Sequence, residues 1–156
     1  MMTASITILP YLAEYLKSKF KYQKDGIVKL PDTSDLYHAV WQLMSKRPVE
    51  YIEKGNIIIC LPKRRIGKDP LYYNYLSQRS VAAIENIVRR EFNFEIHRLM
   101  LENDESGHVK RNIDIAYEFL YQYKIESISV DAILKNYYRY RERVRTKKVR
   151  RQYTRR

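Results

Sequence analysis

Val81, Ile84, Val88, Phe92, Ile96 and Leu99 recur at intervals of three and four residues, the period of one face of an α-helix. A stripe kept up for about five turns needs apolar partners along its whole length. The chain must therefore build its other elements around a long central helix. At 156 residues there is material for one compact core, with little left for a second.

The remaining elements follow from shorter signals. Ile6, Ile8 and Leu9 form a strand pattern that stops at Pro10, and Pro10 suits the first turn of a helix reaching Phe20. Asp25-Gly26 marks a turn before Ile27, Val28 and Leu30, a second short strand. Thr33 or Ser34 can cap the next helix, which carries Leu36, Val40 and Leu43 and ends at Pro48. The β-branched run Ile57 to Leu61 predicts a strand buried on both sides. Asp69-Pro70 predicts a helix start, with Ser80 as a second start for the central helix.

Glu102 to Gly107 is polar and marks an internal boundary. Beyond it, Ile113, Ala116, Tyr117, Leu120 and Tyr123 predict a helix over 110–124, followed by a turn over Ile125 to Ile128 that contains no glycine. Ser129 then caps a helix that opens on Val130, Ile133, Leu134 and Tyr137. The expected fold is α+β and mostly helical, with about six helices around a small two- or three-stranded sheet. It divides into an α-rich body with the sheet over 1–103 and a helical hairpin with a basic extension over 104–156.

Charge separates the two parts more sharply than hydropathy does. The chain carries a net +12, and Arg139, Arg141, Arg143, Arg145, Lys147, Lys148, Arg150, Arg151, Arg155 and Arg156 face a single acid, Glu142, in its last 18 residues. Each phosphate met by Lys or Arg releases condensed counterions, and Arg adds bidentate hydrogen bonds to phosphates and guanine edges. At 100° per residue, Arg139, Arg143, Lys147 and Arg150 follow one side of a helix and Arg141, Arg145 and Lys148 the other. A helix with cations all round repels itself unless a polyanion surrounds it. Lys135 precedes this run on the same helix, and Tyr138 and Tyr140 interleave with it as groups able to stack on bases. Tyr137 continues the apolar stripe and reads as core. A second basic patch, Lys63, Arg64, Arg65 and Lys68, follows the Ile57 to Leu61 strand.

Enzymatic signals are missing. His38, His97 and His108 stand apart from Cys and carboxylates at ligand spacing and read as surface or rim residues. Asp32 with Asp35, and Glu50 with Glu53, fit helix-start and surface roles. Pro62 to Lys68 lacks the glycine spacing of a phosphate loop. The expectation is a protein without metal, cofactor or catalytic residues. A lone Cys60, no signal-peptide pattern and no apolar run of membrane length place it in the cytoplasm, or in association with a virion, with no membrane partner.

The stretch Val109 to Arg145 resembles the C-terminal helix-turn-helix of small DNA-binding proteins from bacteriophages and mobile elements, the Mor-type transcription activators among them. The Arg111-Asn112 entry, the apolar spacing of the first helix and a second helix ending in Tyr and Arg carry the likeness. The resemblance implies DNA binding in a phage or mobile-element setting and no enzymatic activity. In this reading 110–124 buttresses and Ser129 to about Arg145 reads the major groove. A homo-oligomer is also expected, through the body. Two alternatives remain open: a structural component of a phage or ribonucleoprotein particle whose basic tail docks on a polyanion, and RNA binding through tyrosine stacking.

Overall fold

The computed structural model describes the backbone of residues 1–22 and 26–153 and the side chains of 1–20 and 26–148. The side chains of Arg150, Arg151 and Tyr153, and the whole of Asp25, Arg155 and Arg156, lie outside the described residues. The order is β1 (Thr3–Ile6), α1 (Pro10–Lys19), β2 (Lys21–Tyr22), β3 (Ile27–Val28), α2 (Asp35–Leu43), β4 (Ile57–Cys60), α3 (Gln78–Glu105), α4 (Asn112–Gln122) and α5 (Val130–Tyr153). The fold is α+β and mostly helical around a small sheet. Five helices are described rather than six. The chain divides into two compact units, Met1–Phe92 and Asn93–Arg156. That division falls inside α3, ahead of the polar stretch over 102–107.

In the first unit the strands lie in the order β1-β4-β3-β2. β1 runs antiparallel to β4, β4 parallel to β3, and β3 antiparallel to β2. Ala4, Ile6, Val28, Ile57 and Ile59 turn one face of the sheet into the core. The expectation that Ile57 to Leu61 is buried on both sides is corrected here: Ile58 is 39% exposed. A run of β-branched residues satisfies a one-faced strand as well as a two-faced one, and only the layers packed on it decide. Leu12, Tyr15 and Leu16 from α1, Leu36 and Val40 from α2, and Ile84, Val88 and Phe92 from the first half of α3 complete this core. Tyr15 and Tyr11 meet the Phe92 ring edge to face, the arrangement an aromatic quadrupole favours.

Local chemistry explains most element ends. Ser34 caps α2, its hydroxyl accepting from the Tyr37 N–H at 3.2 Å. Ser77 caps α3, accepting from the Ser80 N–H at 3.2 Å. Asp69-Pro70 does not open a long helix. Tyr72 and Tyr73 both donate to the Asp69 carbonyl, closing a single turn. The chain then extends so that Ser45 and Tyr75 pair as an antiparallel bridge, at 2.9 and 3.1 Å. The same bridge draws Ser45 out of helix, so α2 stops at Leu43, ahead of Pro48.

Candidate nucleic-acid interface

The second unit is built from the last half of α3, from α4 and from α5. α4 ends in a Schellman motif: the Ile125 N–H reaches the Leu120 carbonyl at 2.9 Å and the Lys124 N–H reaches Tyr121 at 3.2 Å. Lys124 takes the left-handed conformation there, φ +51, the place where glycine is usual. The same device closes α3, with Gly107 at φ +78 and the His108 N–H bonded to the Asn103 carbonyl. Ser129 then caps α5, its hydroxyl accepting from the Ala132 N–H at 3.2 Å, as the sequence leads one to expect. Ile115, Ala116, Phe119, Leu120, Ile125 and Ile133 fill the hairpin, joined by Ile96 and Met100 from α3.

Two polar groups fix α5 where it crosses α3. The Asp104 carboxylate accepts from the Tyr137 hydroxyl, from Arg141 at 3.3 Å and from Asn112 at 3.4 Å. Burial by itself raises the pKa of this carboxyl, but those hydrogen bonds and the Arg141 charge outweigh it and hold it below its ordinary value. Tyr137 is fully buried, and its hydroxyl is pushed upward by burial and by its bond to Asp104. His97 is the second group, and here the rim assignment is corrected: it is 7% exposed. Its ring stacks on Tyr140, centroids 4.5 Å apart. Burial, reinforced by Arg143 and opposed by a hydrogen bond with Asn136, lowers its pKa to about 4. It is a neutral core histidine. Position 97 lies 100° from Ile96 on the helical wheel, on the far side of Met100, so the apolar stripe does not reach it.

The candidate contact residues then sort themselves by surroundings. Tyr140 has one ring face taken by His97. Tyr138 is 42% exposed, with the Arg141 guanidinium 4.9 Å from its ring centroid. Arg141 is half-buried and bound to Asp104, so it serves the crossing of the helices. Lys135 pairs with Asp131 at 3.5 Å, one turn away. Arg139, Arg143, Arg145, Lys147 and Lys148 are exposed, and among the described residues no ion pair ties them. The free cations of α5 thus begin at Arg139, beyond its first two turns. Its capped first turn presents Asp131 and a paired lysine. A groove of about 740 Å³ runs beside Asn136, Arg139, Glu142, Arg143, Thr146 and Lys147.

The patch after β4 belongs to the first unit and is organised by Trp41. Arg64 lies over the indole, its guanidinium 4.1 Å from the ring centroid, and Lys68 lies 5.8 Å from it. Lys63 and Arg65 are exposed. Trp41 had no place among the expected functional residues, because nothing near position 41 in sequence announces a loop 23 residues further on.

α4 carries a different surface. Ile113, Tyr117 and Tyr121, one turn apart, are 37%, 59% and 87% exposed. They border a groove of about 1020 Å³ with Ile128 and Val130, whose only charged lining residues are Lys124, Glu126 and Asp131. That charge set does not suit a polyanion. Among the described residues no cluster of His, Cys, Asp or Glu is arranged to hold a metal ion, and no helix is long and apolar enough to cross a membrane.

No protein-family model, curated protein or solved structure matches this chain.

Proposed function

We propose that the protein binds nucleic acid without catalysis, duplex DNA before RNA, through α5 from Arg139 onward. The observation that carries this reading is the set of five exposed cations, Arg139, Arg143, Arg145, Lys147 and Lys148, on a helix whose base is fixed by buried contacts. Counterion release makes such a set a source of affinity for a polyphosphate. A base already ordered by Tyr137 and Asp104 lowers the entropy lost on binding. Partial occupation of Tyr138 and Tyr140 by Arg141 and His97 favours backbone contact over base stacking. The phage or mobile-element setting and the oligomeric state enter here as parts of the proposal.

A second reading is a component of a larger particle whose basic segment docks on a polyanion. The exposed Tyr117 and Tyr121 face favours it, because tyrosine-rich apolar surface with few charges is typical of protein contacts.

Fluorescence anisotropy with labelled duplex and labelled single strands separates these readings. The full chain is expected to bind duplex, and the variant with Arg139, Arg143, Arg145, Lys147 and Lys148 all changed to Gln is expected to lose that binding while keeping its helical circular dichroism. Equal binding by both proteins would overturn the proposal.

A further inference from the structure

The segment from Lys63 to Lys68 holds four cations and no acid in six residues, and it is not a loosely solvated loop. It is pinned to one face of α2. The Tyr37 hydroxyl donates to the Lys63 carbonyl at 3.3 Å, and Arg64 hydrogen-bonds the His38 ring. Lys68 donates to the Gln42 carbonyl, and Arg64 and Lys68 both lie over Trp41. Gly67 holds φ +107, and a Cβ there would fall 2.6 Å from the Trp41 ring. Only glycine fits that position, on grounds of conformation and of space. The neighbouring acid, Asp69, is occupied by its own turn, accepting from the Leu71 N–H at 3.0 Å.

This anchoring uses Arg64 and Lys68 and leaves Lys63, Arg65 and Ile66 facing solvent, with Ile66 85% exposed. A rigid tip that presents an apolar side chain between cations is the means by which minor-groove binders wedge against base steps while neutralising the flanking phosphates. We propose that this loop is a second DNA contact, in which Lys63 and Arg65 meet phosphates and Ile66 packs into the minor groove of a duplex. The proposal rests on the reading of the protein as a duplex binder and adds a contact to the one assigned to α5.

Trp41 is the only tryptophan in the chain and lies directly beneath the loop, so its emission reports on the site. Titration of the full chain with a short A·T-rich DNA duplex is expected to change Trp41 emission saturably, in step with anisotropy. The variant K63Q/R65Q is expected to reduce the slope of log affinity against log salt by about 1.8, two phosphates at about 0.9 each. Ile66→Ser is expected to weaken binding about fivefold or more at an unchanged slope, since the side chain it removes is apolar and carries no charge. Duplex binding that leaves Trp41 emission constant, with wild-type slope for K63Q/R65Q, would overturn the second contact and leave the α5 reading intact. Loss of binding in K63Q/R65Q with full binding by the five-fold α5 variant would support the loop and overturn α5. Absence of duplex binding by the unaltered protein would overturn both.

Discussion

On α5, Arg139, Arg143, Arg145, Lys147 and Lys148 stand exposed with no ion pair among the described residues, whereas after β4 two of four cations, Arg64 and Lys68, lie over the Trp41 ring. Arg141 shows both conditions within one helix. It is two residues from Arg139 and Arg143, yet Asp104 and Tyr138 take up its guanidinium. The difference teaches that a count of basic residues overstates the charge a partner can meet. What decides availability is whether a carboxylate or an aromatic face lies within reach, and that is set by the fold around each side chain.

The largest effect expected from breaking this arrangement is at the base of α5. Tyr137→Ala removes a fully buried ring and leaves the Asp104 carboxylate short of a donor, which should cost about 3–5 kcal/mol of stability. Urea denaturation measures it. A loss below about 1 kcal/mol would mean that the crossing of α3 and α5 is not fixed as described.

Acid should loosen the same crossing. His97 titrates at about 4 when folded, against an ordinary value near 6.5. A histidine depressed in this way contributes stability that is complete above about pH 6.5. That stability is lost as pH falls toward 4, because the unfolded chain takes up the proton first. The loss is of the order of 3 kcal/mol at most. Asp104, whose carboxyl lies below its ordinary value, adds its own loss only in more acidic solution. Melting curves between pH 7 and pH 4.5 should therefore show a decline that His97→Phe abolishes; an equal decline in the variant would assign it elsewhere.

The comparison within α5 is sharpened by single substitutions. Arg143→Gln should weaken duplex binding roughly three- to tenfold and leave the melting temperature unchanged. Arg141→Gln should do the reverse, destabilising by about 1 kcal/mol through the half-buried Asp104 carboxylate it leaves with one donor fewer, with little change in affinity. Identical behaviour of the two would remove the distinction between anchored and free cations.

How much of this was legible in the sequence varies with the range of the interaction. The Ser129 cap, the Ser34 cap, the core position of Tyr137 and the long α3 all follow from neighbours within a turn or two, and periodicity exposes such features. Ile84, Val88, Phe92 and Ile96 are buried as their spacing requires. Leu99 is only half-buried and Met100 takes its place, since a four-residue step drifts around the helix. The features that escaped depend on partners remote in sequence. Asp104 sits in a polar run that marks a boundary, yet it binds Tyr137 and Arg141 more than thirty residues away. The helix expected from Asp69 gives way to the Ser45 and Tyr75 bridge. The left-handed Lys124 supplies a turn that composition would assign to glycine. The basic patch was visible as charge; its attachment to Trp41 was not.

The central claim, that the exposed cations of α5 from Arg139 to Lys148 hold a polyphosphate, is tested most directly by salt dependence. Duplex affinity of the full chain and of the variant lacking the cations at 139, 143, 145, 147 and 148 should be measured across a series of salt concentrations. The account predicts a steep linear fall of log affinity with log salt for the unaltered protein, and a slope shallower by up to about 4.5 for the variant, about 0.9 for each phosphate no longer neutralised. Parallel lines for the two proteins would contradict it.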